Sequence, residues 1–527
     1  MRILIFHGYL LGGTGSNVYN ARLAEALVGL GHEVHLLSQE RHPQEHRFVD
    51  AIGDWDGGTL KVRAAPGRGG VEVPRCTVYR PDIGGLLPVY VADRYEGIEA
   101  RTFADCTEEE VSRYIDANVR AVRELRVRVR PQLALANHLV MGPVILARGL
   151  ADEVPYAVKV HGSALEYTVK RDPDRFLAPA REGLAPARAI LVGSHHTAQS
   201  LWDALADEEL VHRTRLGPPG VDVARFQPRD PEPAAEAVRA LAAGLRASAP
   251  GRRTEPEQSA FARDELATAE ALERLAPGED ALVAFVGKLI VSKGVDLLIA
   301  AWPLVLGESP RAKLVVVGFG AYRQGIERLT AALARGDLDE AREIALAGRS
   351  LEDPEAPPLA LRHLLAFLDS LAGSERERYL ALARALPERV VLTGRLEHDE
   401  LAELLPACEA LVVPSTFPEA FGMVAAEAAA CGVLPVSAAH SGLAEVSDVL
   451  AREVPAKAAR WLSFPVDDEA VRAIAARLCW WLGVDPELRL RTRAGLVATA
   501  RDRWSWQGVA RGVIAAARGE LEELQKP

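Results

Sequence analysis

The sequence predicts an α/β protein of two doubly wound domains, each a mainly parallel sheet covered by helices on both faces. Three observations lead there. Short apolar runs of strand length alternate with helical patterns along most of the chain. The alternation starts twice, at "RILIF" (2–6) and again at "ALVAFVG" (281–287). The 527 residues also exceed what one hydrophobic core supports.

In the first half the expected strands are "RILIF", "EVHLL", "LALAN", "YAVKV" and "AILVG". Among the helical patterns between them, "TEEEVSRYIDANVRAVRELRV" opens on a capping box, Thr107 with Glu110 three residues on. In the second half the strands are "ALVAFVG", "KLVVVGFG", "VVLTG", "ALVVPS" and "VLPVS". The changeover falls at "LGPPGVDVARFQP", where Pro and Gly punctuate the chain. The domain plan is therefore a first sheet domain over 1–217, a linker at 218–228, helices at 229–279, and a second sheet domain over 280–502. The segment 503–527 follows it. Residues 229–279 read as two helices joined by "APGRRTEPEQ", and about 330–388 read as further helices broken at "EDPEAPP". Neither segment holds a chemical motif, and both are expected to decorate the surface or to join copies into a homo-oligomer.

Composition narrows the function. At 49% hydrophobic and 26% charged residues it is that of a soluble protein, and no apolar run reaches membrane-spanning length. "MRILIFHGYLLGG" reads as a buried first strand and glycine loop, not a signal peptide. The five cysteines have neither metal-ligand spacing nor a disulfide frame, so a reducing cytoplasm is the expected location. A net charge of −11 argues against nucleic acid as the main partner. Only eight of the 62 basic residues are lysine, which gives each lysine extra weight.

Three motifs could carry chemistry. In "FHGYLLGGTGSNVYNARLAEAL", a glycine loop around Gly12 and Gly13 joins a strand to a helix. The dinucleotide pattern G-x-G-x-x-G fails there because Val18 replaces the third glycine. A tight turn, or a loop approaching a diphosphate or a sugar, remains open. In "VAFVGKLIVSKGVDLLI", Lys288 and Lys293 flank one loop after Gly287, at the sheet end where open α/β folds bind ligands. An ammonium suits a phosphate oxygen as a point charge. In "PEAFGMVAAEAAACG", Glu419 and Glu427 stand eight residues apart, which is about 80° around a helix. The helix is expected to start near Gly422, leaving the amides of Phe421, Gly422, Met423 and Val424 as an anion-favouring N-terminus. Carboxylates on either side would repel phosphate but accept hydrogen bonds from diols. Diol, diphosphate and diol together describe a nucleotide sugar. A glycosidase carboxylate pair at ~5 Å is the rival use of two acids, and the phosphate-binding parts weigh against it. Asp172 and Asp174 in "DPD" follow charged helical sequence, and no metal or other cofactor is expected.

The ordered set "GGTGSNVYNARLAEALVGLGHEV", "KVHGS", "GPPGVDVARFQP", "VGKLIVSKGVDLLI", "VVLTGRLEHDEL", "VVPSTFPEAFGMVAAEAAACGVLPV" and "RWSWQGVA" resembles the retaining glycosyltransferases of family 4. The resemblance covers most of the chain outside the two helical segments. It implies the GT-B fold, two Rossmann-like domains facing across a cleft, with 503–527 returning to the first domain. It implies a hexosyltransferase that moves a sugar from a nucleoside-diphosphate sugar, UDP foremost, to a hydroxyl of a small acceptor. By the same resemblance, Glu427 binds the ribose, Glu419 the transferred sugar, Lys293 and Lys288 the diphosphate, and Arg395 the base. Lys288 stands where the family usually has arginine. The loop glycines Gly12, Gly13 and Gly287 join the donor set, and His161 lies near the reacting sugar. Asn17 is the acceptor candidate. Lys159 and Lys170, flanking His161 with Arg171 adjoining, would suit an acceptor carrying phosphate or carboxylate. Substitution on one face of the sugar is implied, with the departing phosphate taking the acceptor's proton. The same residues also admit a non-catalytic nucleotide-sugar-binding protein, or a phosphorylase or synthase acting on a di- or oligosaccharide.

Overall fold

The protein is seen in a computed structural model, which describes residues 1–56, 58–68, 73–91, 98–249, 263–353, 355 and 357–527. These form two compact units. Unit one is Met1–Gly220 with Trp504–Pro527, and unit two is 221–249 with 263–503.

Unit one is built on β1 (Arg2–Phe6), β2 (Glu33–Leu37), β3 (Ala51–Asp56), β4 (Thr59–Ala64) and β5 (Cys76–Arg80). A separate two-stranded sheet holds β6 (Leu86–Val89) and β7 (Glu99–Thr102). The main sheet continues with β8 (Leu133–Asn137), β9 (Tyr156–Lys159), β10 (Ala189–Val192) and β11 (Thr214–Leu216). Its order is β11-β10-β9-β8-β1-β2-β5-β3-β4, parallel throughout except for the β3–β4 hairpin at one edge. Alternation along β1 explains the apolar run. Ile3 and Ile5 join a core with helix Gly15–Gly29 and the last helix, Trp506–Arg518. Leu4 and Phe6 join the opposite core, with helices Glu108–Val129 and Gly142–Leu150. A strand covered on both faces reads as continuous hydrophobicity. The Thr107–Glu110 capping box is formed, with reciprocal bonds of 3.2 and 2.8 Å. The order reverses between β1 and β8, which makes the carboxyl ends of those two strands a topological switch point.

Unit two holds β12 (Ala281–Val286), β13 (Ala312–Val317), β14 (Val390–Gly394), β15 (Ala410–Val413), β16 (Leu434–Ala438) and β17 (Ser463–Phe464). The order is β14-β13-β12-β15-β16-β17, all parallel, with its switch point between β12 and β15. Helix Val295–Glu308 is apolar almost all round because it is covered on several sides; Trp302 within it is fully buried.

The helices of the second segment supply part of that cover. Leu364, Phe367, Leu368 and Tyr379 are buried, and the Tyr379 hydroxyl donates to Ala300 O at 3.0 Å. These helices belong to the core of unit two, which corrects the expectation of a surface decoration. In the 229–279 segment, helices Pro231–Ser248 and Glu265–Glu273 pack together, with Arg246 and Glu273 paired at 2.7 Å. Their joint "APGRRTEPEQ" lies outside the described residues after Ala249, as do residues 354 and 356 of "EDPEAPP". Among the described residues, no helix is long and apolar enough to cross a membrane.

Candidate functional site

In unit two Gly287, Lys288, Lys293 and Glu419 gather at the switch point, while Arg395 follows β14 at the sheet edge. Gly287 and Lys288 follow β12, and the turn Val291–Lys293 carries Lys293 to the start of helix Val295–Glu308. The loop after β15 carries Glu419. The Lys293 ammonium and the Glu419 carboxylate form an ion pair, with the Ser415 hydroxyl donating to the same oxygen, Oε1, at 2.5 Å. Both side chains keep contact with solvent, at 29% and 21% exposure, so a ligand can reach either.

The two loops are wired together. Thr416 N–H donates to Ser292 O at 2.9 Å, and Gly294 sits at φ +67° with no room for a Cβ, which would lie 2.0 Å from Pro414 O. Behind Glu419, its own N–H donates to Ser441 Oγ at 2.9 Å. His440 Nε2 donates to Ser415 O at 2.8 Å, so its Nδ1 accepts from the Ser441 hydroxyl at 3.0 Å. Ser441 holds a left-handed backbone, φ 51°, to do this. Sequence reading missed His440 and Ser441, since "AAHSG" carries no motif.

Helix Met423–Ala430 begins as expected, with Gly422 at its N-cap and no side-chain cap. The amides of Met423 and Val424 belong to the first turn, which lacks intrahelical acceptors. Glu427 is 2% exposed, and its Oε1 lies 3.4 Å from His398 Nε2. Arg395 pairs with Glu397 at 2.8 Å and lies 5.9 Å over the Phe319 ring. Asp296, in the first turn of helix Val295–Glu308, is 3% exposed, and its Oδ1 has no hydrogen-bond partner among the described residues. Burial raises its carboxyl to about 7.

Unit one has its own polar cluster at the β1–β8 switch point. His7 Nε2 faces two acceptors, Leu10 O at 2.9 Å and Asn17 Oδ1 at 3.0 Å, while Asn20 Nδ2 donates to Nδ1 at 3.0 Å. That fixes a neutral ring protonated on Nε2. Asn17 also donates to Gly12 O at 2.7 Å, holding the exposed Gly12–Gly13 loop. His161 Nε2 donates to Asn137 Oδ1 at 2.8 Å, because the Asn137 amide is engaged with Phe6 O at 3.2 Å. His161 Nδ1 is left as an acceptor. His138 stands 4.8 Å from His161, ring to ring, and neither of its buried nitrogens has a partner among the described residues. His7, Asn20 and His138 were missed; a polar residue just past an apolar strand, as in "LIFH" and "LANH", was the available signal.

The two lysines flanking His161 are occupied. Lys159 is 2% exposed, donates to Gly217 O at 2.6 Å, and burial pushes it down to about 7. Lys170 pairs with Glu166 at 2.9 Å and donates to Ser200 Oγ at 2.6 Å. Arg171 is exposed. Asp172 and Asp174 sit at the N-cap and in the first turn of helix Pro173–Leu184.

Burial lowers the basicity of His7 to about 4, and that of His138 and His161 well below the ordinary range. These depressed values favour the fold above the unfolded-state pKa near 6.5. Stability is then lost as pH falls from there toward 4, at up to about 1.4 kcal/mol per pH unit for His7, and His138 and His161 act in the same direction. The urea midpoint of unit one is therefore expected to drop from pH 7 to pH 5. A midpoint flat across that range would contradict burial of neutral rings.

Known proteins place this architecture. Residues 363–473, which include Arg395, Glu419 and Glu427, match the family model described as Glycosyl transferases group 1. Sucrose-phosphate synthase from Thermosynechococcus elongatus shares the fold with a TM-score of 0.55 at 18% identity, covering 99% of each chain. Anabaena HepE, solved with UDP and glucose, does so at 0.53 and 14%, covering 98% of this chain and 99% of its own. The fold is GT-B, and within unit two residues 363–473 are similar to the group 1 domain.

Curated relatives point the same way. The D-inositol 3-phosphate glycosyltransferase of Segniliparus rotundus is 27% identical over 58% of this chain and 46% of its own length. That of Salinispora arenicola is 30% identical over 60% and 56%. The glycogen synthase of Mycobacterium tuberculosis is 29% identical over 44% and 50%. The chain thus spans about half the length of these relatives.

Proposed function

We propose that the protein is a retaining glycosyltransferase of family 4 that moves a sugar from a nucleoside-diphosphate sugar to a hydroxyl of a small acceptor. The observation that carries this reading is the Lys293–Glu419 pair at the β12–β15 switch point, beside the uncapped start of helix Met423–Ala430. It sets a cation for phosphate and a carboxylate for sugar hydroxyls in contact with each other. As the C1–O bond to the diphosphate breaks, charge grows on the phosphate oxygens. Lys288, Lys293 and the amides of 421–424 are assigned to meet it. The acceptor oxygen bonds to C1 on the face the diphosphate leaves, and its proton passes to a departing phosphate oxygen. Glu427 is assigned to the ribose, Arg395 to the base and Glu419 to the transferred sugar. His161 Nδ1, an open acceptor on a neutral ring, is assigned to a sugar hydroxyl. No metal is assigned a role.

UDP is the favoured nucleotide, supported by the UDP held in Anabaena HepE. An anionic acceptor is supported by the inositol-phosphate glycosyltransferases among the relatives. With Lys159 buried, Lys170 paired, and Asn17 buried with both ends of its amide engaged, Arg171 is the residue proposed to receive it, and Asn17 is assigned to holding the Gly12–Gly13 loop. Thermal denaturation against a panel of nucleotide sugars tests the donor. The true donor should raise the midpoint by mass action, and NMR of the product anomer tests retention. Binding without transfer to any inositol phosphate or polyol would favour a non-catalytic binding protein. Transfer dependent on inorganic phosphate would favour a phosphorylase.

A further inference from the structure

The lysine loop of unit two is held from one more side, by a residue of the helical segment that sequence reading left without a role. Glu352 lies just past the turn Arg349–Leu351, between helices Leu338–Ala347 and Arg362–Ser370. Its Oε2 accepts the backbone N–H of Val291 at 2.8 Å, across 61 residues of chain. Val291 opens the turn Val291–Lys293, between Lys288 and Lys293. Neighbouring amides are used within or beside the loop: Leu289 N–H donates to Phe319 O at 2.7 Å, Lys293 N–H to Ile290 O at 3.0 Å and Gly294 N–H to Val291 O at 3.1 Å. The first amide of a helical turn has no acceptor inside the turn, and here it meets Glu352.

The arm that delivers Glu352 is braced. Leu361 N–H donates to Ala345 O at 2.8 Å and Arg349 N–H to Leu359 O at 3.2 Å. Gly348, at φ +48°, passes so close to Leu359 O that a Cβ would lie 1.9 Å from it. A carboxylate fixed this way can set the shape of a loop instead of following it.

We propose that Glu352 is a positioning residue: its bond to Val291 holds the segment between Lys288 and Lys293 in the shape that receives a diphosphate. This rests on the donor site proposed above. A carboxylate is not the ideal acceptor beside a diphosphate, because its charge opposes the ligand. A neutral oxygen of the same shape should serve at least as well.

The test uses the full chain with Glu352→Ala, Glu352→Gln and Val291→Pro, the last removing the donor from the loop side at a position where proline suits a turn. UDP affinity is measured by calorimetry, and donor KM and kcat with the nucleotide sugar that the thermal panel selects. Glu352→Ala and Val291→Pro are expected to weaken UDP binding and raise donor KM about tenfold, with kcat within about twofold. Glu352→Gln should match or improve on the parent. Hydrogen exchange without ligand gives an independent reading. The amides of 288–294 should exchange faster in Glu352→Ala and not in Glu352→Gln. Unchanged exchange and UDP affinity in Glu352→Ala would overturn the proposal, as would a Gln variant as impaired as the Ala variant. If the parent protein binds no UDP or nucleotide sugar, the donor site falls, while the exchange result still decides whether Glu352 orders the loop.

Discussion

Lys293→Ala is expected to lower turnover of a nucleoside-diphosphate sugar by roughly 10²–10³, the usual loss when one preorganised charge at a developing anion is removed. The structure strengthens that expectation in two ways. Lys293 emerges from a short turn whose backbone is tied to neighbouring segments, Ser292 O to Thr416 N–H and Val291 N–H to Glu352, so the point from which its side chain reaches is fixed. Its ion pair with Glu419 also means that its loss leaves that carboxylate uncompensated near the diphosphate. Because the pair is partly exposed, the variant should lose less than about 1 kcal/mol of stability. Activity and stability should therefore separate. Equal losses in both, or near-normal turnover, would remove Lys293 from the chemistry.

Asp296→Asn should stabilise unit two at neutral and higher pH by up to about 4 kcal/mol. The figure follows from the rise of the Asp296 carboxyl from its ordinary 3.8 to about 7, since a tenfold change in proton affinity corresponds to about 1.4 kcal/mol. The sign follows from the raised value. The folded state holds the proton more tightly, so the contribution is fully present below pH 3.8 and lost as pH rises through 7. Above 7 the carboxylate is charged, 3% exposed, and one oxygen has no partner among the described residues. Asparagine keeps the shape without the charge. Denaturant midpoints of parent and variant should converge near pH 4 and diverge toward pH 8; parallel curves would show that the site relieves the charge in another way. This trend runs opposite to that of the unit-one histidines, so acid should weaken unit one while relieving unit two.

Much of this was legible in the chain. All ten expected strands form, because a strand buried on both faces must be apolar throughout. Some strands that escaped notice are exposed or short: "TLKVRA" at β4 is exposed at five of six positions, and "EART" at β7 has no apolar run. Strand β5, "CTVYR", is buried at four of five positions but mixes Cys, Thr, Tyr and Arg, so it makes no apolar run either. The Glu419, Lys293 and Gly422 cluster was legible because strand-end loops of a doubly wound sheet converge by topology. Lys159 was misplaced for a related reason. It sits in "YAVK", a strand whose four residues are all buried, so its ammonium had to find a carbonyl inside. The Lys170–Glu166 pair was available in advance as an i, i+4 spacing. Glu352 and His398 were not, since each acts across a long sequence separation and neither stands in a pattern.

The cross-ties of the donor loops bear on when ordering occurs. Ser292 accepts from Thr416, Gly294 passes against Pro414, and Ser441 braces Glu419 through its backbone. Folding unit two therefore already spends the loop entropy that a floppy site would surrender on meeting its ligand. Within unit two, nothing needs to close for cation and carboxylate to come into register. On the function proposed above, only their mutual ion pair must be exchanged for phosphate on one side and hydroxyls on the other. A bare nucleoside diphosphate completes half of that exchange and leaves Glu419 unmatched, so the spent product should be held less firmly than the intact donor.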